Sequence, residues 1–300
     1  MSTEPRRYAP PIQATDAVPE LARVVGLPYR ERRRALRVLF EAKYPRFLYR
    51  YTAPRDERSI ERLRDVVVAS ELWLSSPRDF NDPFDMTAAL DFTGTTEQKR
   101  AHILARLERY HAEVPESLRR QRAEEILADE SQLREILDGS FHNNMAKVGV
   151  VCFTRDPRNI LMWSHYADHH RGVVLQFEPS HDVLELGSAI EVHYEEKYPI
   201  LRWFQGFELD IGMALLHKHN GWCYEREFRC LRVGHAHTRV RFAPQALRAI
   251  ILGCRADERI ESTVRGLLAE RAARGAPALS LYRAEKHTHE YRLVLRRLEL

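Results

Sequence analysis

The stretch Gly221-Trp222-Cys223-Tyr224-Glu225-Arg226-Glu227-Phe228-Arg229-Cys230-Leu231-Arg232-Val233 alternates with a period of two. Such alternation marks a strand with two unlike faces. On that reading Glu225, Glu227, Arg229, Leu231 and Val233 share one face, and Tyr224, Arg226, Phe228 and Cys230 the other. Side chains two apart on a strand lie roughly 6–7 Å apart. The first face therefore opens with two carboxylates and a guanidinium and ends in Leu and Val. A strand of this kind would hold a reactive carboxylate rigidly at the rim of an apolar interior. An edge strand with solvated first residues would carry the same pattern.

The surrounding sequence supplies partners for that strand. Lys147–Thr154, Gly172–Phe177, Ala249–Gly253, Leu279–Ala284 and Tyr291–Leu295 read as strands, and Ile190–Tyr194 alternates. Phe47–Thr52 is an aromatic-rich strand, and Glu71–Ser75 is another. Ile60, Leu63 and Val67 recur at helical spacing and predict a helix over 56–68. Further helices are expected over Asn159–His170, over Leu201–His219 and around 257–273. Residues 95–139 are polar with Leu and Ile at helical spacing. Pro115 divides them into two expected helices, about 96–112 and 116–137, the first with capping-box spacing at Thr95 and Gln98. Residues 1–28 carry prolines at 5, 10, 11, 19 and 28, and 29–43 read as a short basic amphipathic helix around Arg30, Arg32, Arg33, Arg34 and Arg37. The expected organisation is an N-terminal extension over 1–46 and a single α+β domain over 47–300. That domain would have a central mixed or antiparallel sheet and a helical insertion near 95–140.

Composition excludes several classes. The chain has 300 residues, 44% hydrophobic and 30% charged, enough for a sizeable core. It has no run of about 18 apolar residues, so no membrane span is predicted. Met1–Arg7 lacks the apolar region of a secretory signal. Four cysteines without a C-x-x-C pair suit reduced thiols and predict a cytoplasmic location. The net charge of +4, from 47 basic and 43 acidic residues, is too small to argue for nucleic-acid binding. Glycine-rich phosphate loops are missing, against P-loop and Rossmann nucleotide binding.

Several words of the sequence match one family in order. They are Leu48-Tyr49-Arg50-Tyr51, the loop from Ser75 through Phe80-Asn81-Asp82-Pro83-Phe84 to Asp85, and Cys152-Phe153-Thr154. Met162-Trp163-Ser164-His165-Tyr166-Ala167-Asp168 with Gly172 follows, then Trp222-x-Tyr224-Glu225-x-Glu227-Phe228-Arg229 and Ile250-Ile251-Leu252-Gly253. Together they resemble the bacterial family catalogued as domain of unknown function 2971, over about residues 47–295 by word order. That family name implies kinship and no activity. A second, weaker resemblance is to the ADP-ribosyltransferase fold. Its members place a basic or His residue on an early strand, a hydroxyl or aromatic residue on a following one, and a glutamate on a late strand, in some as a Glu-x-Glu pair. Arg50 resembles the first element, Thr154 or Tyr166 the middle one, and Glu225-Arg226-Glu227 the last. The Ser-Thr-Ser word of that fold is missing here.

Function follows as expectation. The transferase resemblance implies NAD as cofactor, with Arg50, Tyr51, Thr154 and Tyr166 as its contacts and no metal. Glu227 and Glu225 are then the catalytic carboxylates, one stabilising an oxocarbenium-like state and the other orienting the acceptor. His165 is a candidate general base. Asn81, Asp82, Trp163, Trp222 and Arg229 are candidate substrate contacts. The acceptor would be a protein or nucleic acid, and no membrane partner is expected. Each has a plainer explanation. Glu227 with Arg229 would form a surface ion pair, and Arg50 would pair with a nearby acid. Asn81-Asp82-Pro83 would make a local turn, anchored in the core by Phe80 and Phe84. His165 and His169, one helical turn apart, would bind a metal only with further ligands, which the words around them lack. Two other functions fit the same residues: a non-enzymatic binding or sensor module, and a metal-dependent nuclease built on Asp82, Asp85 and Glu225.

Overall fold

The computed structural model describes residues 45–204 and 207–300, with backbone alone over Phe207–Ile211. The expected extension and its basic helix at 29–43 lie outside the described residues. The chain runs through β1 (Leu48–Thr52), α1 (Glu57–Val67), β2 (Glu71–Leu74) and β3 (Ala89–Asp91). Three helices follow, α2 (Thr96–Tyr110), α3 (Glu116–Ala128) and α4 (Glu130–Met145). Next come β4 (Gly149–Thr154), α5 (Ile160–Tyr166), β5 (Val173–Phe177), β6 (Ile190–Glu191), β7 (His193–Glu195) and β8 (Ile200–Arg202). Then come α6 (Phe207–Leu216), β9 (His217–His219), β10 (Glu227–Arg232) and β11 (Thr238–Arg241). The chain closes with β12 (Leu247–Leu252), α7 (Glu258–Ala273), β13 (Ser280–Lys286) and β14 (Leu293–Leu298). These elements fall into two compact units. The first holds the described residues up to Ser76 with Val148–Val192 and Gly221–Leu300, and the second holds Pro77–Lys147 and His193–Asn220.

The first unit is built on an eight-stranded sheet in the order β14-β13-β12-β5-β1-β4-β10-β6. The β12–β13 pair is parallel and the other pairs are antiparallel, so the sheet is mixed and the class is α+β. Period-two alternation sorts its side chains. Leu48, Val151, Phe153, Leu175, Phe228 and Ile250 pack on one face against Leu63 and Val67 of α1 and Val264 of α7. Tyr51, Val174 and Ile251 pack on the other against Met162 and Trp163 of α5. Arg271, almost fully buried near the end of α7, donates to the carbonyls of Val67, Pro244 and Pro277, tying α7 to α1 and to the approach to β12.

In the second unit α2, α3 and α4 bury Ile103, Ala123, Ile126, Leu133 and Leu137. Two short parallel pairs, β3–β8 and β7–β9, complete it. Lys218 and Asp85 form a buried ion pair at 3.3 Å.

Several expected elements differ. The alternation over 221–233 is not one strand: Asn220–Glu225 is a 3-10 turn, and Arg226 adopts a positive φ of 46° before β10 begins at Glu227. A left-handed residue breaks the extended run, so Glu225 does not share a strand face with Glu227. The region 95–139 holds three helices rather than two, because Asp129 is extended and caps α4 through Gln132 N. The expected helix over 201–219 is confined to Phe207–Leu216, flanked by β8 and β9. Ile190–Tyr194 divides at Val192 into β6 and β7. The helix from Asn159 ends at Tyr166, and Asp168, His169 and His170 all have positive φ. His165 and His169 therefore do not stack one helical turn apart. Phe84 is 63% exposed and anchors nothing in the core.

Candidate functional site

The site grows from an irregularity in the sheet. β10 pairs with β4 along its whole length, from Glu227↔Thr154 to Arg232↔Gly149. The other edge of β4 changes partner. β1 meets it at Tyr49↔Thr154, whereas Val150 pairs with Ser75, just past the end of β2. Arg50 fills the interval between, its Nη1 donating to the Cys152 carbonyl at 2.9 Å. That is a carbonyl β1 would otherwise be placed to take.

Beside this interval lies a cleft of about 230 Å³. Arg50, Tyr51 and Thr52 of β1 line it, with Arg62 and Asp65 of α1 and Trp73 of β2. Tyr166 and Arg239 also reach it. Arg62 and Arg239 lie over Trp73 at 5.4 Å each, and Arg239 donates twice to Asp65 Oδ2. Arg50 takes part in no ion pair among the described residues. The sequence expectation of a nearby acid for Arg50 is thus corrected: its partner is a backbone carbonyl. Burial disfavours its charged form and lowers its pKa from the usual guanidinium value.

Tyr166 links this cleft to the first carboxylate. Its hydroxyl donates to Glu225 Oε1 at 2.6 Å, and Glu225 is 3% exposed. Asn159 holds the two supporting elements together. Its Oδ1 accepts from Leu161 N and Met162 N at the start of α5, and its Nδ2 donates to Tyr224 O at 2.8 Å in the 3-10 turn. The rings of Tyr166, His165, Tyr224 and Trp222 follow one another in that order about this turn, with neighbouring centroids 6.0–6.4 Å apart. His165 is exposed.

The second carboxylate has a different setting. Directly opposed residues share a sheet face, so the register places Gln176, Tyr49, Thr154 and Glu227 in one polar row across β5, β1, β4 and β10. Gln176 donates to the Tyr49 hydroxyl at 3.0 Å, and Thr154 Oγ1 accepts from Asp156 N. Glu227 is 4% exposed, and Arg229 occupies both its oxygens, Nε to Oε1 at 2.8 Å and Nη2 to Oε2 at 2.9 Å. The surface pair expected from the sequence is a buried one. Burial, with Glu227 adjoining, pushes the Cys152 thiol well up.

Residues 162–230 match the family described as protein of unknown function (DUF2971). The DUF2971 match takes in α5 from Met162 on, the aromatic turn and both glutamates, while the words at 48–51, 75–85, 152–154 and 250–253 lie outside it. No curated protein and no solved structure matches the chain.

The remaining candidates are placed as follows. Trp163 is fully buried, its indole donating to Pro157 O and its ring edge-on to Tyr51. Tyr51 donates to Asp156 O, and burial raises its pKa. Both shape the α5 face of the sheet. Asn81 and Asp82 belong to the second unit, where Asp82 Oδ1 accepts from Phe84 N in a local turn. Asp82 Oδ2 is buried with no hydrogen-bond partner among the described residues. Among the described residues no three His, Cys, Asp or Glu side chains gather as metal ligands, and no helix is long and apolar enough to cross a membrane. Sequence reading missed Arg62, Asp65, Trp73, Arg239 and Asn159. Only Asn159, a capping residue ahead of an apolar run, carried a local signal.

Proposed function

We propose that the first unit is a binding module for a small oxyanion-bearing ligand, a phosphate or carboxylate, received by Arg50 in the cleft between β1, α1 and β2. One observation carries this reading: the Arg50 guanidinium lies at a 230 Å³ cleft with a single carbonyl as its partner among the described residues. A guanidinium has five donors and suits bidentate oxyanions. Burial without a direct ion-pair contact among the described residues disfavours its charge, which a bound anion would relieve. The cleft is smaller than the roughly 300–1,000 Å³ of drug-sized sites, so it suits a small molecule or the anionic end of a larger one. Calorimetric titration with inorganic phosphate and small phosphorylated and carboxylated metabolites tests the reading. Saturable binding weakened at least about tenfold in Arg50→Gln supports it. Binding indifferent to Arg50→Gln, or none at millimolar ligand, sinks it.

A second reading is ADP-ribosyltransferase-like chemistry with NAD, favoured by Tyr166, which both lines the cleft and bonds Glu225. On that reading we propose Glu225 for the carboxylate role, because it bonds the cleft-lining Tyr166 whereas both oxygens of Glu227 are engaged by Arg229. His165, exposed beside Tyr166, would meet the acceptor, a protein or nucleic acid. Labelled NAD incubated with candidate acceptors tests it, and transfer unchanged in Glu225→Gln defeats the assignment. The nuclease reading receives no support from grouped metal ligands among the described residues. The cysteine usage remains our reason for proposing a cytoplasmic location.

A further inference from the structure

A separate cavity lies wholly within the second unit. Helices α2, α3 and α4 line an open groove of about 830 Å³, inside the volume range of small-molecule sites. Its floor is apolar: Ile103, Leu107, Ile126, Leu133 and Leu137 line it. Its charged lining is mostly basic, with Arg106, Lys147 and Arg122, the last paired with Glu125 at 2.9 Å, against one lining acid, Glu135. Arg106 is oriented by its bond to Ser140 Oγ at 2.7 Å, and Lys147 makes no ion pair among the described residues. Gly139 forms part of the wall in the middle of α4, and a Cβ built there meets no atom within 4 Å. A mid-helix glycine is unfavourable relative to alanine, and here its effect is to keep the wall open.

We propose that this cavity binds a monomeric amphipathic anion, a medium- or long-chain carboxylate. Its chain lies on the apolar floor and its head group meets Arg106 and Lys147. Charge selects the occupant, because a neutral chain would leave the basic groups unanswered and a cationic one would be repelled by them.

The test uses the full chain and an alkanoate series from octanoate to tetradecanoate below micelle-forming concentrations, with dodecylammonium as the charge-reversed probe. Affinity should rise about fourfold per methylene and fall by about fivefold or more for dodecylammonium. Gly139→Leu should weaken dodecanoate binding at least about tenfold by filling the cavity. Gly139→Ala, the folding control, should retain both binding and circular dichroism. Lys147→Gln should weaken the carboxylate and not the ammonium. The proposal is overturned if Gly139→Leu binds like the parent, if chain length or head-group charge has no effect, or if no alkanoate binds. Capture by phosphatidylglycerol vesicles without monomer binding overturns it too, assigning the basic rim to a membrane surface.

Discussion

Glu227 and Arg229, two residues apart on β10, close a bidentate ion pair inside the first unit, with the guanidinium side chain 0% and the carboxylate 5% exposed. Each ion would be costly to bury alone. The pair therefore satisfies both charges within β10 itself, on the stretch of the strand where Arg229 faces Cys152 and Glu227 faces Thr154 of β4.

Removing one partner leaves the other uncompensated. Arg229→Met is expected to destabilise the protein by about 3–5 kcal/mol, and Glu227→Gln by somewhat less because it keeps the hydrogen-bonding shape. The double variant should recover part of that loss. Urea unfolding of the four proteins gives the coupling directly. Additive effects would show that the two side chains stand independently.

The Tyr166 hydroxyl is a second separable contact. Tyr166→Phe keeps the ring in place and deletes the bond to buried Glu225, with an expected loss of about 1.5–3 kcal/mol. Binding of the Arg50 ligand should change little, since the ring still lines the cleft. A stability unchanged by the substitution would mean that Glu225 is held by other groups.

Much of this architecture was legible because alternation and helical spacing are written locally. Val173–Phe177 and Leu247–Leu252 appear as strands for that reason, as do helices such as Glu258–Ala273. The cleft was not legible. It depends on β4 exchanging β1 for Ser75 as its neighbour, a long-range event that leaves no periodic trace. Arg62, Trp73 and Arg239 meet there from three elements, one of them a four-residue strand too short and polar to read. Glu225 and Glu227 looked like a pair because the sequence does not display the left-handed turn at Arg226.

Two glycines should respond oppositely to the same added methyl group. At Gly253 a Cβ would lie 2.0 Å from the His170 carbonyl oxygen, where the loop after α5 is sewn to β12 by Arg255 N to His170 O. Backbone must move, so Gly253→Ala is expected to cost more than about 3 kcal/mol or to abolish soluble expression. At Gly139 the space is open, and Gly139→Ala should be neutral or stabilising by about 0.5–1 kcal/mol. Thermal midpoints of the two variants check both signs.

His102 makes the second unit sensitive to acid. Its Nε2 accepts from the indole of buried Trp203 at 2.9 Å, which requires the neutral ring. Burial first, and the neighbouring Arg106 second, lower its pKa from 6.5 to about 4. Between those values the unfolded chain binds a proton that the folded one refuses, so stability falls as pH drops through the window. The contribution is fully present above about pH 6.5 and fully lost below about 4. Partial solvent exposure of the ring reduces its size, to about 1–2 kcal/mol. Urea unfolding followed by tryptophan fluorescence at pH 7.5 and 4.5 should show the loss. His102→Gln keeps an acceptor for Trp203 but cannot titrate, and should flatten the profile across that window while other groups set what remains. An unchanged profile in that variant would place the acid sensitivity elsewhere.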